Sequence, residues 1–194
     1  MTYKESIEKS ELAEYPVSGF PGKIMVVDNH ERLKDSIPLL KNAEILGFDT
    51  ETKPSFSKGK NNRVALLQLS DARRAFLFRV NEIGLPDELL DILSDESVTK
   101  VGVAIHDDIK GLKAIRNFRP GGFIELQDYV KDFGIISSGL RKLSAIILGF
   151  RISKRQQVSN WEANELTDAQ LQYAATDAWV CYEIYKKLGN LNPR

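Results

Sequence analysis

A short apolar run that ends in two acids constrains this chain more than any other feature. Residues 45–48 are apolar, and Asp49 and Glu51 follow within the next three positions. Because alternate residues of a strand point to the same side, a strand over 44–50 places both carboxylates together at its C-terminal end. Carboxylates held that close repel each other unless a cation lies between them, and Mg²⁺ prefers carboxylate oxygens. The pattern predicts either a metal site or a solvated strand end, since Asp-x-Glu is common after strands.

Composition sets the bounds for the rest of the chain. Its 194 residues suffice for one domain, and the apolar content of 42% is typical of a soluble globular protein. Acids and bases balance at 27 each, so net charge indicates neither a nucleic-acid nor a membrane partner. The single Cys181 excludes an internal disulfide and a cysteine-based zinc site. Since there is no membrane-spanning run and no signal-peptide pattern, we expect a cytoplasmic protein without membrane association.

The order of apolar runs and turn signals predicts an α/β domain. Residues 1–22 mix charged and apolar residues and end at Pro-Gly, which predicts an N-terminal extension packed on the domain. Residues 23–194 are then expected to form a single domain, because no repeat or Pro/Gly linker divides them. Strand patterns lie at 24–27, 45–50, 64–69, 75–80, 100–105 and 123–127. Helical patterns occupy much of the remainder, and the longest covers 166–188.

A tyrosine and an acid lie one turn apart in this longest helical pattern. Tyr173 and Asp177 are four residues apart and therefore share a helix face, and Thr167 is a suitable N-cap. The pair is compatible with a simple surface contact. Asp177, however, lies in an otherwise apolar run, and burial of an unpaired charge is very costly. The sequence therefore predicts a partner for this carboxylate elsewhere in the fold.

Three motifs occur in a characteristic order along the chain. They are Gly-Phe-Asp-Thr-Glu-Thr at 47–52, Val-Gly-Val-Ala-Ile-His-Asp-Asp at 101–108 and Tyr-Ala-Ala-Thr-Asp at 173–177. Together they resemble the DEDD superfamily of 3′–5′ exonucleases, and more closely its ribonuclease D and Werner-syndrome exonuclease branch. The resemblance covers residues from about 24 to 190. It implies a ribonuclease H-like fold with a mixed five-stranded sheet, whose first three strands are antiparallel, and with helices on both faces.

The resemblance also implies a set of site residues. Asp49, Glu51, Asp108 and Asp177 match the four acids that hold two divalent cations, Mg²⁺ or Mn²⁺, and Tyr173 matches the tyrosine of the tyrosine subclass. All five are expected to be catalytic, with Tyr173 orienting the attacking water, because its ordinary pKa near 10 suits positioning better than proton abstraction. The neighbouring Asp107 is expected to cap the helix that follows.

Contacts to a substrate are less specific in the sequence. Lys58 and Lys60 lie in a polar segment beside the first motif, and Lys154 and Trp161 precede the third. These four are candidates for substrate binding. The lysines could instead be solvated, Trp161 could belong to the core, and His106 fits either a structural or a substrate role.

The expected function is removal of nucleotides from the 3′ end of DNA or RNA, with release of nucleoside 5′-monophosphates. The expected partner is single-stranded or 3′-ended nucleic acid. One alternative is a catalytically silent nucleic-acid-binding module on the same fold, although such a surface gains nothing from clustered acids facing phosphates. Another alternative is a metal-dependent phosphatase or nucleotidase for small substrates.

Overall fold

The computed structural model describes residues 3–54 and 62–190. Within them the strands are β1 (Lys23–Val27), β2 (Ile45–Thr52), β3 (Val64–Ser70), β4 (Arg74–Arg79), β5 (Thr99–Gly102) and β6 (Phe123–Glu125). The α-helices are α1 (Lys9–Leu12), α2 (His30–Lys41), α3 (Val80–Ile83), α4 (Asp87–Ser94), α5 (Ile105–Ile115), α6 (Leu126–Tyr129), α7 (Leu140–Leu143) and α8 (Asp168–Gly189). A 3₁₀ turn at Val130–Phe133 follows α6, and a π-helical turn at Ser144–Leu148 continues α7.

The strands form one mixed sheet in the order β1-β4-β3-β2-β5-β6. β2, β3 and β4 pair antiparallel, whereas β5 and β6 extend the sheet in parallel beyond β2. The α/β class and its antiparallel unit are thereby confirmed. The expected number of five strands was one too few. The short strand predicted at 24–27 joins the same sheet, because β1 pairs in parallel with β4 at the edge.

Helices cover both faces of this sheet, as expected. α8 packs on one face through residues such as Val180 and Ile184. α2 and α4 pack on the other, where Leu33 and Leu89 are buried. Each helix buries an apolar side against the sheet, which is the usual way for an α/β domain to build its core.

A glycine in β2 allows α8 to lie directly against the sheet. A Cβ atom built on Gly47 would be only 1.8 Å from the carbonyl oxygen of Ala178. No side chain fits in that space, so the two backbones meet there. Gly47 is two residues before Asp49 in the strand, and Ala178 follows Asp177 in the helix. The close approach therefore brings the acids of two distant motifs to the same place.

The N-terminal segment lies on the α8 side of the molecule. Ile7 and Leu12 are buried against Ala145, and Phe20 belongs to the same core cluster as α8. These contacts agree with a packed extension, while its boundary at residue 22 remains a prediction. None of the helices in the described part of the chain combines the length and hydropathy needed to cross a bilayer.

Candidate active site

Three acids from two elements converge at the C-terminal end of β2. Asp49 and Glu51 project from this strand, and Asp177 reaches them from α8. Each offers a carboxylate oxygen, and these oxygens all lie within 4.8 Å of one another. Asp177 is only 7% exposed. The three line a cleft of about 310 Å³, together with Tyr173 and Lys154.

All three carboxylates of this cluster have raised pKa values. Burial raises the pKa of Asp49 well above its ordinary value, and the negative charges of Asp177, Asp108 and Glu51 raise it further. Burial and repulsion likewise raise the pKa of Glu51 to about 9, and burial raises that of Asp177 to about 7. One oxygen of Asp177, Oδ1, is buried without a hydrogen-bond partner among the described residues. Crowded and desolvated carboxylates are the donor set that a hard divalent cation requires, so the residues fit such an ion.

Asp108 lies beside the three acids rather than among them. It is not part of the group within 4.8 Å, yet its charge contributes to the raised pKa values of Asp49 and Glu51. The hydroxyl of Thr50 donates a hydrogen bond to its carboxylate. This bond opposes the effect of burial, which raises the pKa of Asp108 to about 6. Asp108 is thus hydrogen-bonded to β2 at Thr50, the residue between the two acids of the first motif in the sequence.

The helix that carries Asp108 is held in place by Glu125 of β6. Before α5 begins, Ala104 adopts the left-handed conformation (φ 60°, ψ 33°), which is uncommon for a residue with a side chain. The carboxylate of Glu125 accepts hydrogen bonds from the backbone N–H groups of Ala104 (3.1 Å) and Ile105 (3.0 Å). The expectation that Asp107 caps this helix was wrong. The N-cap residue of α5 is Ala104, which forms no side-chain cap, and Asp107 is exposed. A carboxylate from a neighbouring strand satisfies the same donors.

Tyr173 lies one helical turn before Asp177, as expected, and faces the cluster. Burial raises the pKa of its hydroxyl, and the charges of Asp177 and Glu51 raise it further. The phenol therefore keeps its proton at neutral pH, and it can donate a hydrogen bond but cannot act as a base. Its ring packs against Trp161, with centroids 5.9 Å apart.

Trp161 supports this tyrosine from the core. Its side chain is 0% exposed, which favours core packing over stacking on a base. Buried Arg79 holds the adjoining segment, since it donates hydrogen bonds to the carbonyl oxygens of Ala163 (2.6 Å) and Asn164 (3.2 Å). The sequence did not predict this role for Arg79. The carbonyl groups that it binds begin 84 positions later in the chain, and no local sequence signal connects them to a strand residue.

Among the described residues, two cations line the cleft. Lys154 is exposed, lines the cleft and lowers the pKa of Asp177 through its charge. Arg141 also lines the cleft and was not expected from the sequence, where it reads as an ordinary helix residue. Lys58 and Lys60 lie outside the described residues.

One buried amide next to the acids was also missed. Gln68 of β3 is the direct neighbour of Asp49 in the register between β2 and β3. It is fully buried, and neither polar atom of its side chain has a partner among the described residues. A polar residue within the apolar run 64–69 was the available signal.

The six-stranded sheet, the helix α8 and the acidic cluster define a ribonuclease H-like α/β domain with a candidate metal centre. A family model described as 3′–5′ exonuclease matches residues 24–192. The chain therefore belongs to the 3′–5′ exonuclease domain family, and the resemblance to DEDD exonucleases is confirmed.

Individual relatives agree with this assignment. The bifunctional 3′–5′ exonuclease/ATP-dependent helicase WRN of Mus musculus is 33% identical over 201 residues, which cover 97% of this chain and 14% of that protein. The exonuclease 3′–5′ domain-containing protein 2 of Drosophila melanogaster is 39% identical over 150 residues, or 75% of this chain and 25% of that protein. This chain thus spans a quarter or less of either relative.

A solved structure shows the same fold at lower identity. The ribonuclease D of Trypanosoma brucei, in complex with RNA U12, has a TM-score of 0.78 and is 23% identical. The likeness covers 89% of this chain and 64% of that chain.

Proposed function

We propose that this chain is a two-metal-dependent 3′–5′ exonuclease that hydrolyses phosphodiester bonds at the 3′ end of DNA or RNA and releases nucleoside 5′-monophosphates. The observation that carries the proposal is the convergence of Asp49, Glu51 and Asp177 in one cleft. Tyr173 lines the same cleft, and Asp108 accepts a hydrogen bond from Thr50 of its wall. Membership of a 3′–5′ exonuclease family favours this reaction over the silent binding module and the small-substrate phosphatase.

The acids would divide between two cation positions. Asp49, Glu51 and Asp177 would hold one ion, Mg²⁺ or Mn²⁺, and Asp49 with Asp108 would hold the other. Bound divalent cations lower the pKa of an attacking water and stabilise the negative charge of the leaving 3′ oxygen. The hydrogen bond from Thr50 and the fixed start of α5 keep Asp108 oriented for this task.

Tyr173 positions the attacking water. Its hydroxyl keeps its proton, and its ring is held between Trp161 and the cleft. A phenol fixed in this way needs little reorganisation when the reaction begins, which is how a positioned donor contributes to rate.

The proposed partner is single-stranded or 3′-ended nucleic acid. Lys154 and Arg141 supply positive charge on the cleft wall beside the acids, where a phosphodiester would otherwise meet only negative charge. The related ribonuclease D of T. brucei was solved with an RNA, which supports RNA as one substrate class. The cytoplasmic location stays a prediction.

Two substitutions on one helix face test the proposed roles. Asp177→Asn removes a charge from a cation site, so Mn²⁺ affinity should fall and activity should drop by several orders of magnitude. Tyr173→Phe leaves every acid in place, so Mn²⁺ affinity should stay near that of wild type while kcat falls about 10–10³-fold, the scale of one positioned donor. Calorimetric Mn²⁺ titration beside exonuclease rates measures both effects.

Tyr182→Phe is the matched control, because it makes the same chemical change about two and a half turns further along α8, where the side chain lines a different cavity. It should keep wild-type metal affinity and rate. The assigned roles are wrong if Tyr173→Phe loses metal binding or if Asp177→Asn keeps full turnover.

A further inference from the structure

A second cavity, lined by cations, shares part of its wall with the acidic cleft. This cavity, of about 380 Å³, shares Gly139, Arg141 and Lys154 with the cleft. Lys9 of α1 and Lys142 of α7 line it further along. We call the cavity the basic groove and define it by its four cations, Lys9, Arg141, Lys142 and Lys154.

The charge of the basic groove is concentrated and unpaired. Four cations line it, and no acid does. None of the four makes an ion pair with an acid of the described residues. The Nε of Arg141 is buried without a hydrogen-bond acceptor in the described part of the chain. Although the net charge of the chain is zero, the basic groove creates a region of positive potential beside the negative potential of the acidic cleft.

One wall of the basic groove comes from the N-terminal segment, and it is firmly attached. The carbonyl oxygen of Glu5 accepts hydrogen bonds from the N–H groups of Ile136 (2.9 Å) and Ser137 (3.2 Å). Leu12, one turn after Lys9, is buried against Ala145. This wall precedes residue 24, where the match to the family model begins. Lys9 therefore lies outside the part of the chain that the family model matches.

We propose that the basic groove binds the phosphodiester backbone of single-stranded nucleic acid on the 5′ side of the bond held at the acids. The inference rests on the proposed function. When the 3′-terminal bond lies at the acids, the remainder of the strand extends to its 5′ side and leaves the cleft. A path lined by Lys and Arg neutralises successive phosphates and releases their counterions, which favours binding without regard to sequence. Substrate affinity should therefore depend on strand length and on salt.

The double variant Lys9→Ala/Lys142→Ala tests this path without touching the cleft. In the absence of divalent metal, its affinity for a single strand of about 12 nucleotides should fall roughly tenfold. The slope of the logarithm of the association constant against log[salt] should become shallower by about 1.4, or about 0.7 for each lost phosphate contact. The ratio of kcat/KM between this strand and a dinucleotide should fall by a similar factor. Fluorescence anisotropy and single-turnover cleavage measure these quantities.

Lys34→Ala/Lys41→Ala is the matched control, since both lysines are exposed on α2 at the opposite face of the sheet. It should behave like wild type. If the Lys9/Lys142 variant keeps wild-type affinity and salt slope while wild type cleaves, the groove proposal is wrong and the exonuclease proposal stands. If wild type cleaves nothing, but the Lys9/Lys142 variant binds the strand more weakly than wild type does, the groove proposal stands without the proposed reaction. Competition by polyglutamate as strong as that by an oligonucleotide would overturn the groove as a nucleic-acid site.

Discussion

At the scale of single residues, the acids that suit a cation destabilise the fold without one. The folded pKa of Glu51 is about 9 and that of Asp177 about 7, against ordinary values of 4.5 and 3.8. The folded state therefore retains protons that the unfolded chain has already released. Stability then falls as pH rises between the unfolded and folded pKa values. A bound divalent cation removes the repulsion and hence this dependence.

This gives a prediction for thermal unfolding. The Tm of the metal-free protein should be lower at about pH 8 than at about pH 5.5, and Mn²⁺ should raise the Tm more at the higher pH. Asp177→Asn should flatten the pH dependence and reduce the shift caused by Mn²⁺. Scanning calorimetry at both pH values, with and without chelator, is the measurement. A metal-free Tm that climbs steadily from pH 5.5 to 8 would contradict the assigned repulsion.

At the scale of elements, the site depends on the contact between β2 and α8. The Cβ of Gly47→Ala would overlap the backbone of Ala178, so α8 must move away from the strand. We expect a loss of about 3 kcal/mol or more in unfolding free energy and a loss of Mn²⁺ binding, because Asp177 leaves Asp49. Gly189→Ala, at the end of the same helix with its nearest contact at 3.9 Å, should change stability by less than about 1 kcal/mol. Denaturant unfolding and metal titration separate the two, and equal stability of both variants would contradict the close approach.

The elements also show what the sequence could not provide. Apolar runs and turn residues located every strand, because these signals are local. The pairing of β1 with β4 was missed, since parallel partners at a sheet edge leave no local signature. The carboxylate that caps α5 was predicted wrongly for the same reason, because Glu125 lies 20 residues further along the chain.

At the scale of the whole molecule, the ordered motifs predicted the four acids and Tyr173, and the structure brings three of the acids within 4.8 Å. The basic groove was beyond prediction. Of its four cations, the sequence singled out Lys154 alone as a candidate for substrate binding, whereas Lys9, Arg141 and Lys142 read as ordinary surface charges. Only the packing of the N-terminal segment on the turn that follows α7 places them around one cavity.

The product pattern from a single strand labelled at its 5′ end tests the central claim most directly. With Mn²⁺, the account predicts a ladder that shortens from the 3′ end by one nucleotide at a time, with nucleoside 5′-monophosphates as the other product. Asp49→Asn, which removes the carboxylate proposed for both cation positions, should produce no ladder under the same conditions. Cleavage within the strand, release of nucleotides from the 5′ end, or turnover of mononucleotides alone would contradict the account.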